Sequence, residues 1–89
     1  MPVVILTLNR GSSSFKFALY RDGRDGPRLL ARGAAENIGE ATGRLWLEAA
    51  GDARLEQCTQ SFRNAAAVPG AILLALGRHG LPIPTVVGH

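Results

Sequence analysis

The chain has little cysteine and little lysine. Cys58 is the one cysteine among 89 residues, and Lys16 is the one lysine beside nine arginines. A single cysteine excludes an intrachain disulfide, and no second cysteine or histidine stands near it at the spacing of a metal site. The sequence therefore predicts a protein of a reducing compartment, the cytoplasm.

Long hydrophobic runs, internal repeats and low-complexity segments are absent as well. The apolar run at residues 3–8 follows no basic region and is too short for a signal sequence or a membrane span. The net charge of +3 comes from arginines spread between Arg10 and Arg78, and aromatic residues make up only 6% of the chain. The sequence thus lacks the basic stripe with interleaved aromatic side chains that is typical of nucleic-acid binding. We expect no membrane partner and no nucleic-acid partner.

Apolar residues account for 46% of the chain and charged residues for 19%. These fractions are ordinary for a globular protein and unlike those of a disordered one. The length is below the roughly 100 to 150 residues of a typical domain, so the core must be small. One small domain, or part of one, is expected.

Five strand-like segments come first along the chain and predict a β-meander over residues 3–60. We place them at residues 3–8, 15–20, 28–38, 45–48 and 55–60. The first is apolar and rich in β-branched residues, which is typical of a strand buried on both faces. The second alternates apolar and polar side chains after a Gly-Ser turn, which predicts a hairpin.

After the fifth strand the apolar side chains take the spacing of a helix. The apolar positions are Val68, Ile72, Leu73 and Leu76. Pro69 fits the first turn, and Gly80 supplies a stop. Asn64 or Ser61 is the candidate cap at the start, and the sequence does not decide between them. The pattern predicts a helix over about residues 64–79.

A strand-like run at residues 84–88 comes last, and the chain stops as this strand begins. No turn or cap closes it. We therefore expect an incomplete domain, as in a truncated or excised piece of a longer protein.

Polar residues with the chemistry of a phosphate site surround the turn after the first strand. They are Asn9, Gly11, Ser12, Ser13, Ser14 and Lys16. The glycine is expected to take a positive φ, and the serines offer backbone N–H groups and hydroxyls to an anion. The lysine adds a cation, and the asparagine adds an amide oxygen of the kind that Mg²⁺ accepts. This is not a Walker pattern, because a strand follows the lysine. The residues predict a site for a metal-bound phosphate, and ordinary turn chemistry is the alternative.

Three segments resemble the acetate and propionate kinase family, and together they span nearly the whole chain. They are Asn9-x-Gly11-Ser12-Ser13-Ser14-x-Lys16, similar to the family's opening signature, then Gly33-x-x-Glu36-x-Ile38-Gly39, and Val86-Val87-Gly88-His89, similar to the start of its Gly-His-Arg-Val-Val-His-Gly-Gly motif. Arg10 departs from the small residue that the family usually has there. Residues 44–80 match only in the order of strand and helix.

The resemblance implies an α/β fold. The chain would be the N-terminal part of an actin-like, sugar-kinase-like and heat-shock-ATPase-like (ribonuclease H-like) domain. It would have a mixed sheet of about five strands, one helix and a final strand. Residues 1–89 would then be the incomplete N-terminal domain of an acetate kinase-like protein.

The resemblance also implies a function. The complete protein would be a homodimeric acetate kinase, which reversibly transfers phosphate from ATP to acetate and yields acetyl phosphate and ADP. The residues that would bind the ATP phosphates are Gly11, Ser12, Ser14 and Lys16, and Asn9 would bind the Mg²⁺ cofactor. The family's catalytic residues lie beyond this sequence, so we expect none within the chain and no activity from it alone. The alternatives are a propionate or butyrate kinase, and a non-catalytic phosphate-binding or interaction module.

Other singled-out residues are expected to have structural roles. Cys58 and Trp46 are interpreted as packing residues, and Glu36 as a solvated strand residue. His79 is interpreted as a surface or capping residue at the helix end. His89 belongs by resemblance to the substrate-side motif.

Overall fold

One mixed sheet of six strands with one α-helix is formed by residues 3–51 and 53–88, the part of the chain that the computed structural model describes. The elements are β1 Val3–Arg10, β2 Phe15–Gly23, β3 Gly26–Glu36, β4 Arg44–Ala49, β5 Arg54–Thr59, α1 Val68–Arg78 and β6 Val86–Gly88. The strand order across the sheet is β5-β4-β3-β2-β1-β6. The predicted α/β class with a mixed sheet is confirmed. The expectation for His89 lies outside the described residues.

The first five strands form an antiparallel meander, and β6 pairs with β1 in parallel. Short connections join the five antiparallel strands, whereas the path from β5 to β6 runs through α1, as a parallel pairing requires. The β1–β2 register pairs Asn9 with Lys16 and Arg10 with Phe15. The turn predicted to bind phosphate, residues 11–14, therefore closes the first hairpin, and we call it the phosphate turn.

Alternation along the strands separates an inner face, which packs against α1, from an outer face on the other side of the sheet. The inner face is apolar and buried, and it includes Leu6, Leu8, Phe17, Leu19, Leu45 and Leu47. The helix buries Val68, Ile72, Ala75 and Leu76 in the same core. Because full burial of one large aliphatic side chain contributes about 1.5–3 kcal/mol, this core holds helix and sheet together.

The outer face of β1 is open. Val3 is 39% exposed, Ile5 is half-buried and Thr7 is exposed. The expectation that residues 3–8 form a strand buried on both faces is therefore wrong. The β-branched residues of the outer face suit an extended strand whether or not a second layer covers them.

The third strand ends two residues earlier than predicted, at Glu36. Asn37 takes a φ of 57°, which is the left-handed region and not an extended conformation. The chain therefore leaves the sheet at this residue and enters the connection to β4.

The start of the helix differs from its prediction in one respect. A 3₁₀ turn at Ala65–Ala67 leads into α1, and Pro69 lies in the first α-helical turn, as expected. No side-chain hydrogen bond caps either helix start, so the expectation of a cap from Asn64 or Ser61 is wrong. Instead, the backbone carbonyl oxygen of Asn64 accepts a hydrogen bond of 3.2 Å from the N–H of Ala67 and stabilises the 3₁₀ turn.

The predicted stop after the helix is confirmed. Gly80 has a φ of 68°, and its N–H donates to the carbonyl oxygen of Gly77 at 3.1 Å. The N–H of Leu81 donates to the carbonyl oxygen of Leu76, also at 3.1 Å. These two bonds form a Schellman motif, which favours glycine at the left-handed position. Within the described chain, α1 and every other helix are too short or too polar to cross a membrane.

Candidate functional site

The predicted phosphate turn is a closed hairpin turn. The N–H of Gly11 donates a hydrogen bond of 2.8 Å to the carbonyl oxygen of Ser14, and the ladder resumes at the pair of Arg10 and Phe15. Gly11, Ser12 and Ser13 are exposed. The turn is therefore accessible to a ligand.

Three backbone donors of this turn have no backbone acceptor. Among the described residues, the N–H groups of Ser12, Ser13 and Ser14 donate to no carbonyl oxygen. Successive N–H groups of this kind can converge on an anion, and the serine hydroxyls supply further donors. The arrangement is chemically suited to phosphate oxygens.

Gly11 has a different role from the one expected. The positive φ angles of the described residues occur at Asn37 and at other glycines, and not at Gly11, so that expectation is wrong. A Cβ at this position would lie 2.9 Å from the Oγ of Ser14. Glycine is favoured here because a side chain would crowd the Ser14 hydroxyl.

Asn9 and Lys16 lie side by side at the base of the turn. They are direct partners in the β1–β2 register, and both are exposed on the outer face. Opposite residues of an antiparallel pair have Cβ atoms about 4.5–5.5 Å apart. Within residues 3–51 and 53–88, no carboxylate forms an ion pair with Lys16. The ammonium group is therefore available to an anionic ligand.

This donor set fits a magnesium ion bound to phosphate. Mg²⁺ usually keeps several water molecules and takes one or two protein oxygens together with phosphate oxygens. Asn9 supplies such an oxygen beside the turn. The described residues contain no group of three or more His, Cys, Asp or Glu side chains that would form an all-protein metal cage.

A shallow cavity of about 410 Å³ extends from Asn9 and Lys16 across the outer face of the sheet. It is lined by Thr7, Asn9, Lys16, Phe17, Ala18, Arg32, Gly33 and Trp46. Trp46 was expected to be a packing residue, yet the structure places it on the outer face beside the candidate site. Lys16 and Trp46 are both register partners of Ala34, so the two lie in one row. The sequence shows the alternation of β4 but not this register.

Charged neighbours hold the indole ring of Trp46. The guanidinium of Arg54 lies 4.8 Å from the ring centroid, within the range of a cation–π contact. Glu48 forms ion pairs with Arg54 at 2.9 Å and with Arg32 at 3.4 Å. On β4 the cavity is therefore lined by the Trp46 ring, and the ion pairs of Glu48 lie next to this ring.

The connection from β3 to β4 contacts the phosphate turn directly. The N–H of Ile38 donates a hydrogen bond of 3.0 Å to the carbonyl oxygen of Ser13. Glu36, which ends β3, forms an ion pair of 2.8 Å with Arg44 on the outer face. This segment is part of the resemblance to the kinase family, but its contact with the turn does not follow from the sequence. The one sequence signal for a sharp turn at this point is the asparagine at position 37, because asparagine tolerates the left-handed conformation.

The remaining singled-out residues lie away from the turn. Cys58 is half-buried and packs against the core, as expected. His79 was expected at the surface or as a cap, and its Nε2 lies 2.9 Å from Oε1 of Glu56. A hydrogen bond from Arg78, opposed in part by burial and assisted by His79, holds the pKa of Glu56 below the ordinary value of 4.5. This cluster joins β5 to the end of α1.

In sequence and in fold, the chain is similar to acetate kinases. No protein-family model matches the chain. The chain is 39% identical over 93 residues to the acetate kinase of Clavibacter michiganensis subsp. michiganensis (strain NCPPB 382), covering 100% of this chain and 22% of that protein. Its fold matches the crystal structure of Porphyromonas gingivalis acetate kinase with a TM-score of 0.75 and 25% identity, over 91% of this chain and 20% of that one. The chain thus spans about a fifth of the length of these proteins.

Proposed function

We propose that this chain is part of a member of the acetate kinase family, because it is similar to such enzymes in sequence and in fold, and that the complete protein transfers the γ-phosphoryl group of ATP to acetate. The bond between the γ-phosphorus and the oxygen of ADP would break, and a bond from a carboxylate oxygen of acetate to phosphorus would form. The reverse reaction would return the phosphoryl group from acetyl phosphate to ADP. A cytoplasmic location and a homodimeric complete enzyme belong to the same proposal and rest on the family resemblance and the single cysteine.

One observation supports the role of this chain in that reaction. Asn9 and Lys16 are direct partners at the base of a turn whose serine N–H groups bind no backbone acceptor among the described residues. We propose that Ser12, Ser14 and the backbone N–H groups bind phosphate oxygens of ATP, with Gly11 leaving room for the Ser14 hydroxyl. Lys16 would neutralise phosphate charge, and Asn9 would contact Mg²⁺ directly or through water. The ion, when bound, supplies positive charge at the phosphate oxygens.

The chain alone is expected to bind without turnover. Phosphoryl transfer needs several positive groups at once around the three equatorial oxygens, as well as a positioned acceptor. Around this turn the described residues place Lys16 and Asn9 on the outer face, while Arg10, which precedes the turn, lies over the Phe15 ring. The proposal is therefore that the chain supplies one corner of the kinase site and no catalytic residue.

Calorimetric titration of the 89-residue chain with magnesium-ATP tests this assignment. Lys16→Ala removes the ammonium group and is expected to weaken binding at least about tenfold, because a hydrogen bond to a charged group contributes roughly 1.5–3 kcal/mol. Asn9→Ala is expected to weaken binding in the presence of Mg²⁺ more than in its absence.

Arg24→Ala is the matched control. Arg24 is exposed in the turn after β2, at the opposite end of that strand, so its removal is expected to leave the affinity unchanged. Equal affinity of Lys16→Ala and the unaltered chain would contradict the phosphate assignment and favour plain turn chemistry. Steady production of acetyl phosphate by the isolated chain would contradict the proposed lack of turnover.

A further inference from the structure

A second loop fixes the central carbonyl group of the phosphate turn. The N–H of Ile38, on the connection between β3 and β4, donates a hydrogen bond of 3.0 Å to the carbonyl oxygen of Ser13. The turn is also closed from within by the bond between Gly11 and Ser14. Two independent hydrogen bonds therefore restrain its backbone.

Asn37 determines where the Ile38 N–H points. Its φ of 57° turns the chain sharply at the end of β3, and its carbonyl oxygen accepts the N–H of Glu40 at 3.2 Å. Asparagine tolerates this left-handed conformation better than other residues with a side chain, and a β-branched residue tolerates it least. The choice of residue at position 37 thus affects the direction of the next N–H group.

The same connection is anchored to the core. The N–H of Gly39 donates to the carbonyl oxygen of Phe62 at 3.0 Å, and the Phe62 side chain is only 2% exposed. The Ile38 side chain is partly buried and packs against that core. A continuous set of contacts therefore connects Ser13 with the buried interior.

We propose that Asn37 and Ile38 are positioning residues of the phosphate turn. By holding the Ser13 carbonyl group, they keep the neighbouring N–H groups directed at the anion before it binds. A turn ordered in advance loses less conformational freedom on binding, so its affinity is higher. This inference rests on the proposed function of the turn.

Variants at position 37 separate positioning from stability. Asn37→Val is strained in the left-handed region and is expected to weaken magnesium-ATP binding about fivefold, the effect of roughly one hydrogen bond. Asn37→Gly adopts the same φ freely and is expected to bind within about twofold of the unaltered chain. Asn37→Ala is expected to lie between them and decides the question if the valine variant does not fold.

Gly26→Val is the matched control, because Gly26, the first residue of β3, also has a positive φ, of 91°, and directly follows the turn after β2. The nine residues of β2 separate it from the phosphate turn by about 30 Å. It is expected to lose stability in urea without losing affinity. An unchanged affinity in Asn37→Val and Asn37→Ala, while Lys16→Ala binds more weakly, would overturn this inference and leave the proposed function standing. If Lys16→Ala also binds normally, both fail.

Discussion

Gly33, in the middle of β3, has the least room for a side chain among the glycines in the described strands. A Cβ at this position would lie 2.1 Å from the carbonyl oxygen of Trp46 and 2.5 Å from Cζ of Phe17. The first of these atoms belongs to the backbone of the neighbouring strand, which cannot move aside as a side-chain end can. The approach of the three strands therefore depends on glycine.

Gly33→Ala is expected to lower the free energy of unfolding by about 1–3 kcal/mol, the usual cost of forcing an extra group into a packed site. Urea denaturation at pH 7 measures this. Gly23→Ala is the control, because a Cβ at Gly23 would have no atom within 4 Å and is expected to change stability by less than about 0.5 kcal/mol. Equal stability of the two variants would contradict the packing described for β3.

Residues differ in how far the sequence predicts their surroundings. The pairing of Asn9 with Lys16 follows from a short turn between two alternating runs, which is local information. The position of Trp46 in one row with Lys16, with Ala34 between them, depends on the register of β3 with β4, and alternation alone does not determine which face is buried. The contact of Ile38 with Ser13 joins two separate connections, so nothing in either segment alone predicts it.

A charged contact joins β5 to α1. Glu56 on β5 accepts hydrogen bonds from Arg78, and its carboxylate also contacts His79 at the helix end. The Glu56 side chain is only 14% exposed, whereas that of Arg78 is 51% exposed. Cations near the last carbonyl groups of a helix are also favoured by its dipole. The cluster supports the packing of the helix against the edge of the meander.

Glu56→Gln is expected to lower stability at pH 7 by about 1 kcal/mol, a modest figure because water screens the half-exposed Arg78. Since the folded state lowers the pKa of Glu56, its contribution is present above the ordinary value of 4.5 and is lost as the pH falls through the lowered folded-state pKa. The stability difference between the unaltered chain and the variant should therefore shrink in acid. Urea denaturation at pH 7 and at pH 3 measures it.

Glu40→Gln provides the control for this experiment. Glu40 is exposed and forms no ion pair within the described residues. Its substitution is expected to have little effect on stability at either pH. A difference for Glu56→Gln that grows in acid would contradict the assignment of the cluster as a charged contact.

At the scale of the elements, periodicity predicted the sheet, the hairpins and the helix, because each depends on side chains near one another in sequence. The helix stop at Gly80 was predictable for the same reason. The start of the helix was not predictable, since a backbone carbonyl group and not a side chain accepts the hydrogen bond there. The open outer face of β1 was also missed, because an apolar composition does not tell whether a second layer covers a strand.

For the whole molecule, the sheet gathers the candidate site at one end. The turn after β1, the end of β3 and the start of β4 meet there, and the ordered core lies behind them on the inner face. The chain spans about a fifth of the length of the acetate kinases it matches. We propose that this chain contributes one part of the active site of such an enzyme, where the turn and Lys16 bind the phosphates of magnesium-ATP.

Amide chemical-shift mapping of the chain with magnesium-ATP shows which N–H groups the ligand contacts. We expect the largest saturable shifts at the N–H groups of Ser12, Ser13 and Ser14, with smaller ones at Lys16 and Ile38. Amides of the turn after β2, around Arg24, should not shift. Saturable shifts that are largest around Arg24, or an absence of shifts at the three serines at saturating ATP, would contradict the proposal that the phosphate turn binds ATP.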